Sequence, residues 1–313
     1  MMAPSKPHTW SQLLPPTMQV FERGWLSSNN ILFSTPRATA LVDSGYCTHA
    51  AQTVALVAHA LDGRRLDWLI NTHLHSDHCG GNAALQEVHG CRTTIPAAEA
   101  VAVRNWDADA LSFAATGQQC PRFTFTDTLH GGELLLLGDL SWQVLSAPGH
   151  DPHALLLYCE EARILISADA LWENGFGVIF PELDGASGFA ETRATLELIA
   201  SLDIGLVIPG HGAPFADVQG ALVRARSRID YLSADPIRNA QNAVKVLLKF
   251  LLLERQQIVL AQVPQLLSEI RLFREANRRF LQLPEDALAA WAVAQLKRAG
   301  AARSDGIMLT NAD

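Results

Sequence analysis

Short apolar runs that end in polar turns recur along the first two thirds of the chain. Leu66-Asp67-Trp68-Leu69-Ile70, Ser141-Trp142-Gln143-Val144-Leu145, Ile164-Leu165-Ile166-Ser167 and Leu206-Val207-Ile208 each read as a short, largely buried strand. Helix-patterned stretches such as Ala83-Ala84-Leu85-Gln86-Glu87-Val88 lie between them. This alternation predicts an α/β fold. The same event follows each run: the strand stops, and a His or an Asp appears within a few residues. Pro148-Gly149 and Pro209-Gly210 supply the sharp turns that aim His150 and His211.

The densest such point is His73-Leu74-His75-Ser76-Asp77-His78, three imidazoles and a carboxylate within six residues. It sits where a strand opens into a loop, so its side chains are free to converge. Neutral imidazole and carboxylate are the ligands of borderline metals such as zinc. Imidazoles crowded this closely without a metal would be buried lacking partners. Four residues do not complete a site for two metals. His150, Asp169 and His211, each after its own strand, bring the set to seven. The remaining histidines, His8, His49, His59, His89, His130 and His153, read as packed or solvated residues.

With these motifs in order, the chain resembles the metallo-β-lactamase superfamily over roughly residues 20 to 215. Leu41-Val42-Asp43-Ser44-Gly45 is similar to the family's early Asp motif. The resemblance implies an αββα sandwich, two mixed sheets flanked by helices with metals at one edge. It also implies that His73, His75 and His150 hold one metal, that Asp77, His78 and His211 hold a second, and that Asp169 bridges both. Two dications sharing a hydroxide lower its pKa and polarise a substrate carbonyl or phosphoryl oxygen. Asp77 is the expected catalytic residue, orienting the hydroxide or taking its proton. Asp43 is expected to accept a hydrogen bond from a ligand imidazole and set its tautomer. Zinc is the favoured metal, with iron and manganese open.

Beyond residue 216 the pattern becomes helical. Residues 1–216 are expected to form the catalytic domain and residues 217–235 a helical linker. Residues 236–313 are expected to form a small, mainly α-helical C-terminal domain. Asp235-Pro236 interrupts the pattern, Val244 to Leu253 reads as a helix, and another starts near Leu260. Leu283-Pro284-Glu285-Asp286 opens a third, with acids in its first turn. Ala302 to Leu309 suits a hairpin around Asp305-Gly306. Three helices and a hairpin resemble a winged-helix module. This tail carries net +4, against −12 for the rest of the chain. Its arginines interleave with Glu269 and Glu275 and its aromatics are few, so nucleic acid is not the expected partner. Capping the active-site edge, or a homodimer contact, is.

Five cysteines, an odd count without a Cys-x-x-Cys pair, suit reduced thiols and a cytoplasmic protein. Met1 to Pro16 has no apolar signal core, and no run is long enough to span a membrane. Substrate contacts are expected from loops at the metal edge: Trp25 in the segment 22–30, and Trp172 and Phe176 after Asp169. These point to a small substrate with an apolar part. The favoured reaction is hydrolysis of an ester-like bond, a thioester or lactone, as in the glyoxalase II-like branch. That branch's glutathione-binding basic and tyrosine residues are not recognisable here, and only three tyrosines exist. The alternatives are a β-lactamase, a mononuclear iron persulfide dioxygenase, or a phosphodiesterase or nuclease.

Overall fold

Period-two alternation decides which way each strand faces, and the computed structural model, which describes residues 9–312, shows the result. His8 lies outside those residues, as does the first half of the stretch from Met1 to Pro16. Six strands form the first sheet in chain order: β1 (Met18–Phe21), β2 (Asn30–Ser34), β3 (Thr39–Val42), β4 (Trp68–Ile70), β5 (Arg92–Pro96) and β6 (Asp127–Leu129). Five form the second, in the order β11-β10-β9-β8-β7: β7 (Leu134–Leu137), β8 (Leu140–Ser146), β9 (Leu155–Cys159), β10 (Ile164–Ala168) and β11 (Leu206–Pro209). Both sheets are mixed. β3 to β6 run parallel after an antiparallel start, and β10 pairs parallel with β11 but antiparallel with β9.

Odd and even positions part company in every central strand. Ile31, Phe33, Val42, Leu157, Ile164, Ile166 and Ile208 meet Trp142 and Val144 in one apolar layer between the sheets. Their neighbours Leu32 and Leu41 face outward onto α1 (Ala50–Leu61) and, through Leu85, α3 (Asn82–His89). Leu156, Tyr158, Leu165 and Val207 face outward onto α7 (Phe189–Ala200) and α8 (Val218–Ser233). The architecture is therefore an αββα sandwich. The short helices α2 (Ser76–Cys79), α4 (Ala100–Asn105), α5 (Phe113–Thr116) and α6 (Pro181–Asp184) lie in the connections.

The segment expected to be a linker is structural. α8 buries Ala221, Leu222, Ala225, Ile229 and Leu232 against the second sheet, so it belongs to the sandwich's outer layer. Asp235-Pro236 interrupts the helical pattern as expected, since α8 ends at Ser233, and it also starts the next helix. The Asp235 carboxylate accepts from Ile237 N at 3.1 Å and Pro236 takes the first position, where no backbone donor is needed. The resulting α9 (Pro236–Arg255) is twice the length read from the sequence. It is followed by β12 (Gln257–Val259), α10 (Val263–Glu269), α11 (Arg271–Ala276), α12 (Glu285–Arg298), β13 (Ala302–Ser304) and β14 (Met308–Asn311). The last three strands form an antiparallel sheet ordered β12-β14-β13. The sequence pattern does not anticipate β12, because three residues carry too little periodicity to be seen. No helix among the described residues is long and apolar enough to cross a membrane.

Candidate metal centre

All seven expected ligands lie at one edge of the sandwich, and strand direction is the reason. β3 and β4 run parallel, and β8, β10 and β11 share a direction in the second sheet. Their C-terminal ends open into the loops that carry Asp43, His73 to His78, His150, Asp169 and His211. Side-chain nitrogen or oxygen atoms of His73, His75 and His150 lie within 4.8 Å of one another, and so do those of Asp77, His78, Asp169 and His211. The two groups abut. Asp169 Oδ2 lies 3.4 Å from His150 Nε2 in the first and 3.5 Å from His78 Nε2 in the second.

The imidazoles are held by their other nitrogens. Asp43 accepts from His78 Nδ1 at 2.7 Å and from Thr72 N and Oγ1 at 2.9 and 2.8 Å. His73 Nδ1 lies 3.1 Å from Thr72 Oγ1, so the same carboxylate steadies His73 through the threonine hydroxyl. His150 Nδ1 donates to Val178 O. This leaves Nε2 of His73 and of His78 buried with no hydrogen-bond partner in the protein. Two orphaned imidazole nitrogens aimed into a carboxylate-bearing cluster are what a cation-binding site requires.

Electrostatics agree with the geometry. Burial pushes His75 and His150 down to about 4, and His73 well below the usual histidine range, so all three are neutral ligands at pH 7. Burial opposes charge on His78 too, but the carboxylates of Asp169 and Asp43 outweigh it and raise that imidazole well above its ordinary value. Burial likewise disfavours ionised Asp77 and Asp169, yet the neighbouring histidines hold both below the usual carboxylate range. The second group thus carries ionised carboxylates that demand positive charge. The donor set, its burial and its orphaned nitrogens fit two dications.

Further residues brace the centre, Asp151 and Asn29 among them without having been singled out in the sequence. Asp151, directly after His150, approaches His75 Nε2 at 3.5 Å. Asn29 Nδ2 donates to Pro209 O and Gly212 O at 2.9 and 2.7 Å, clamping the His211 turn. Gly210 is needed for space: a Cβ there would sit 2.2 Å from Asp169 Oδ1. Asp43 and Ala168 both adopt positive φ, 58° and 44°, as the chain turns out of β3 and β10.

Of the three expected substrate contacts, two line the pocket over the ligands. Trp25, 58% exposed, stacks on His211 with centroids 5.4 Å apart and meets Trp172 edge-on. Trp172 Nε1 donates to Asp169 Oδ1 at 3.1 Å. Phe176 does not line that pocket; it is 1% exposed, packs in the core beneath α8 and borders the neighbouring chamber instead, because the loop after Trp172 folds back onto the second sheet. Phe180 takes the expected place, 5.3 Å from the His75 ring and 5.5 Å from His150. The opposite wall comes from the C-terminal unit, as Val246, Leu247 and Phe250 of α9. Phe250 is anchored edge-on to Tyr46, and so the tail caps the metal edge. Cys79 is buried filler beside His78, its sulfur 3.8 Å from that of Cys120, and all five cysteines are free.

The sequence profile of the metallo-beta-lactamase superfamily matches residues 23–211, which includes every ligand named above. A hydroxyacylglutathione hydrolase from Anaeromyxobacter dehalogenans is 31% identical over 66% of this chain and 74% of its own length. Another, from Rhodopseudomonas palustris, is 32% identical over 46% of this chain and 47% of its own. The chain spans about 40–50% of the length of the first such relatives. Among solved structures, a beta-lactamase domain protein from Burkholderia ambifaria aligns with 95% of this chain and 93% of its own, at 21% identity and a TM-score of 0.59. A metallo-beta-lactamase family protein from Thermus thermophilus aligns with 95% of this chain and 99% of its own, at 20% identity and a TM-score of 0.56. Those alignments reach beyond the sandwich into the helical tail. With seven candidate ligands converged at the edge of an αββα sandwich and the family's profile covering them, the chain belongs to the metallo-beta-lactamase superfamily.

Proposed function

We propose that the protein is a dinuclear metal hydrolase that cleaves an ester-like bond, a thioester or lactone, in a small substrate with an apolar part. The observation that carries this is the pairing of two complete ligand groups, sharing Asp169, with a pocket walled by Trp25, Trp172, Phe180 and Phe250. His73, His75 and His150 would hold one metal, and Asp77, His78 and His211 the other, with zinc favoured for this mixed imidazole and carboxylate set. When bound, such metals polarise a carbonyl oxygen and lower the pKa of a water molecule. Asp77 lines the pocket with its carboxylate ionised and 3.1 Å from His211 Nε2, which supports a role in orienting a water and accepting its proton. Trp172 fixes the Asp169 carboxylate, and Trp25 and Phe180 exclude water above it.

Relatives named hydroxyacylglutathione hydrolases support an ester-like substrate. Glutathione itself has no support from the tyrosines: Tyr46 and Tyr158 are buried in the core, and Tyr231 is exposed and does not line the pocket. The order of the C-terminal elements, with β12 paired beside the final hairpin, supports a winged-helix-like unit serving as a cap rather than a nucleic-acid reader.

The test is metal content per chain after purification without added metal, then turnover of thioester and lactone panels before and after chelation. Two zinc ions and chelator-sensitive hydrolysis are expected. One iron per chain with oxygen uptake on a sulfur substrate would overturn the reading.

A further inference from the structure

Beside the tryptophans, the chamber over the ligands adjoins a second, larger one between α8, α9 and the end of α12. The first has a volume of about 80 Å³ and the second about 390 Å³. They share a wall made by Trp25, Trp172, Val178, Val246 and Phe250. Sites for small molecules run to roughly 300–1,000 Å³. The chamber over the ligands therefore has room for the reacting group, and the neighbouring one has room for the rest.

The larger chamber is apolar but not neutral. Asn242, Lys245, Val246, Lys249, Phe250 and Leu253 line it at helical spacing along one face of α9. Lys249 is engaged with Ala301 O, Asn311 Oδ1 and Ala312 O, tying α9 to the C-terminal sheet. Lys245 is different: among the described residues it has no carboxylate partner. Nor does Arg228, which reaches the same chamber from α8 across the Phe176 ring at 5.5 Å. Its neighbours on α8 are paired, Arg224 with Asp217 and Arg226 with Glu197. Arg228 Nε and Asn242 Nδ2 are buried donors without acceptors. Burial, and then the nearby Arg228 charge, lower the Lys245 pKa, and burial lowers that of Arg228. Two like charges lining one cavity without a carboxylate partner are unfavourable unless an anion enters it.

We infer that this chamber receives an apolar substrate arm ending in a carboxylate or phosphate, held by Lys245, Arg228 and Asn242, while the scissile bond lies over the metal ligands. The inference rests on the hydrolase reading above for its scissile bond, but not for its anion.

The test uses the full-length, metal-loaded protein and three eight-carbon probes, octanoate, octyl phosphate and the neutral octanamide. Binding is read by isothermal titration calorimetry. The anions are expected to bind more tightly than octanamide, and Lys245→Met to weaken them by about tenfold or more. Lys245→Arg should restore them, and this matched pair separates charge recognition from packing. The anion that loses more identifies the preferred head group. Equal binding of octanoate, octyl phosphate and octanamide to the wild type, or no anion binding at all, overturns the inference. So does a Lys245→Met protein that binds the anions as the wild type does. A thioester pair with carboxylate or methyl ends separates the two readings. Anion binding that depends on Lys245, with neither thioester nor lactone cleaved, sinks the hydrolase reading alone. Cleavage of both ends at equal kcat/KM, unchanged in Lys245→Met, sinks the chamber alone.

Discussion

Asp43→Asn removes one charge and almost no volume, yet it should disable ligands in both metal groups. Asp43 Oδ1 accepts from Thr72 N, while Oδ2 accepts from Thr72 Oγ1 and His78 Nδ1 at 2.8 and 2.7 Å. In the variant, the amide oxygen can keep the backbone bond, which turns the NH₂ toward the histidine and the threonine. Two donors then face each other at His78 Nδ1. The imidazole relieves this by moving its proton to Nε2, the nitrogen that faces Asp169 and the centre. The His73 tautomer, set through Thr72, loses its anchor as well. Losing such a supporting hydrogen bond costs about 10–100-fold in metal affinity, or roughly 1.4–2.8 kcal/mol. Asn tolerates the left-handed backbone at this position, φ 58°, so the fold should survive. Competition with a chromophoric chelator measures both affinities, and thermal unfolding of the chelated protein checks the fold. Wild-type affinity for both metals in Asp43→Asn would refute the argument.

Three further outcomes follow from the geometry. Gly210→Ala would place a methyl group 2.2 Å from Asp169 Oδ1 and 3.0 Å from His78 Cε1, so the shared carboxylate must shift. A loss of about 100-fold in kcat/KM is expected with two metals still bound, read by parallel kinetics and metal analysis. Glu99 is buried, and burial with the nearby Asp151 raises its pKa from 4.5 to about 8. The folded state therefore holds a proton that the unfolded chain releases, and stability falls as pH rises from 4.5 to 8, by up to about 1.4 kcal/mol per unit. Glu99→Gln should flatten that decline in urea titrations; an unchanged slope would assign it elsewhere. Phe250→Ala opens a cavity where α9 meets Leu26 and Tyr46, and should cost about 3–5 kcal/mol in chemical denaturation while raising KM.

The ligands are legible in the sequence because their signal is local. A buried strand, a sharp turn and a His or Asp within a few residues need no knowledge of what lies across the molecule, and all seven ligands carry that signal. The helix start at Glu285 and the hairpin around Asp305-Gly306 are readable for the same reason. Tertiary packing decided the rest. Only the shared direction of β3 with β4, and of β8 with β10 and β11, together with the packing of the two sheets, brings the loops to one edge and sets Asp169 Oδ2 between the two groups. The apolar loop after Asp169 gives no hint that Phe176 turns inward and Phe180 outward, since both are aromatic and period alone cannot rank them. α8 reads as a charged linker because its six buried apolar positions acquire meaning only against the second sheet. Likewise, Lys245 and Arg228 lie 17 residues apart on two helices, and only the packing of α8 against α9 makes them face one cavity. Chemistry carried by adjacent residues is written in the chain; chemistry made by long-range apposition exists only once hydrophobic burial has chosen the partners.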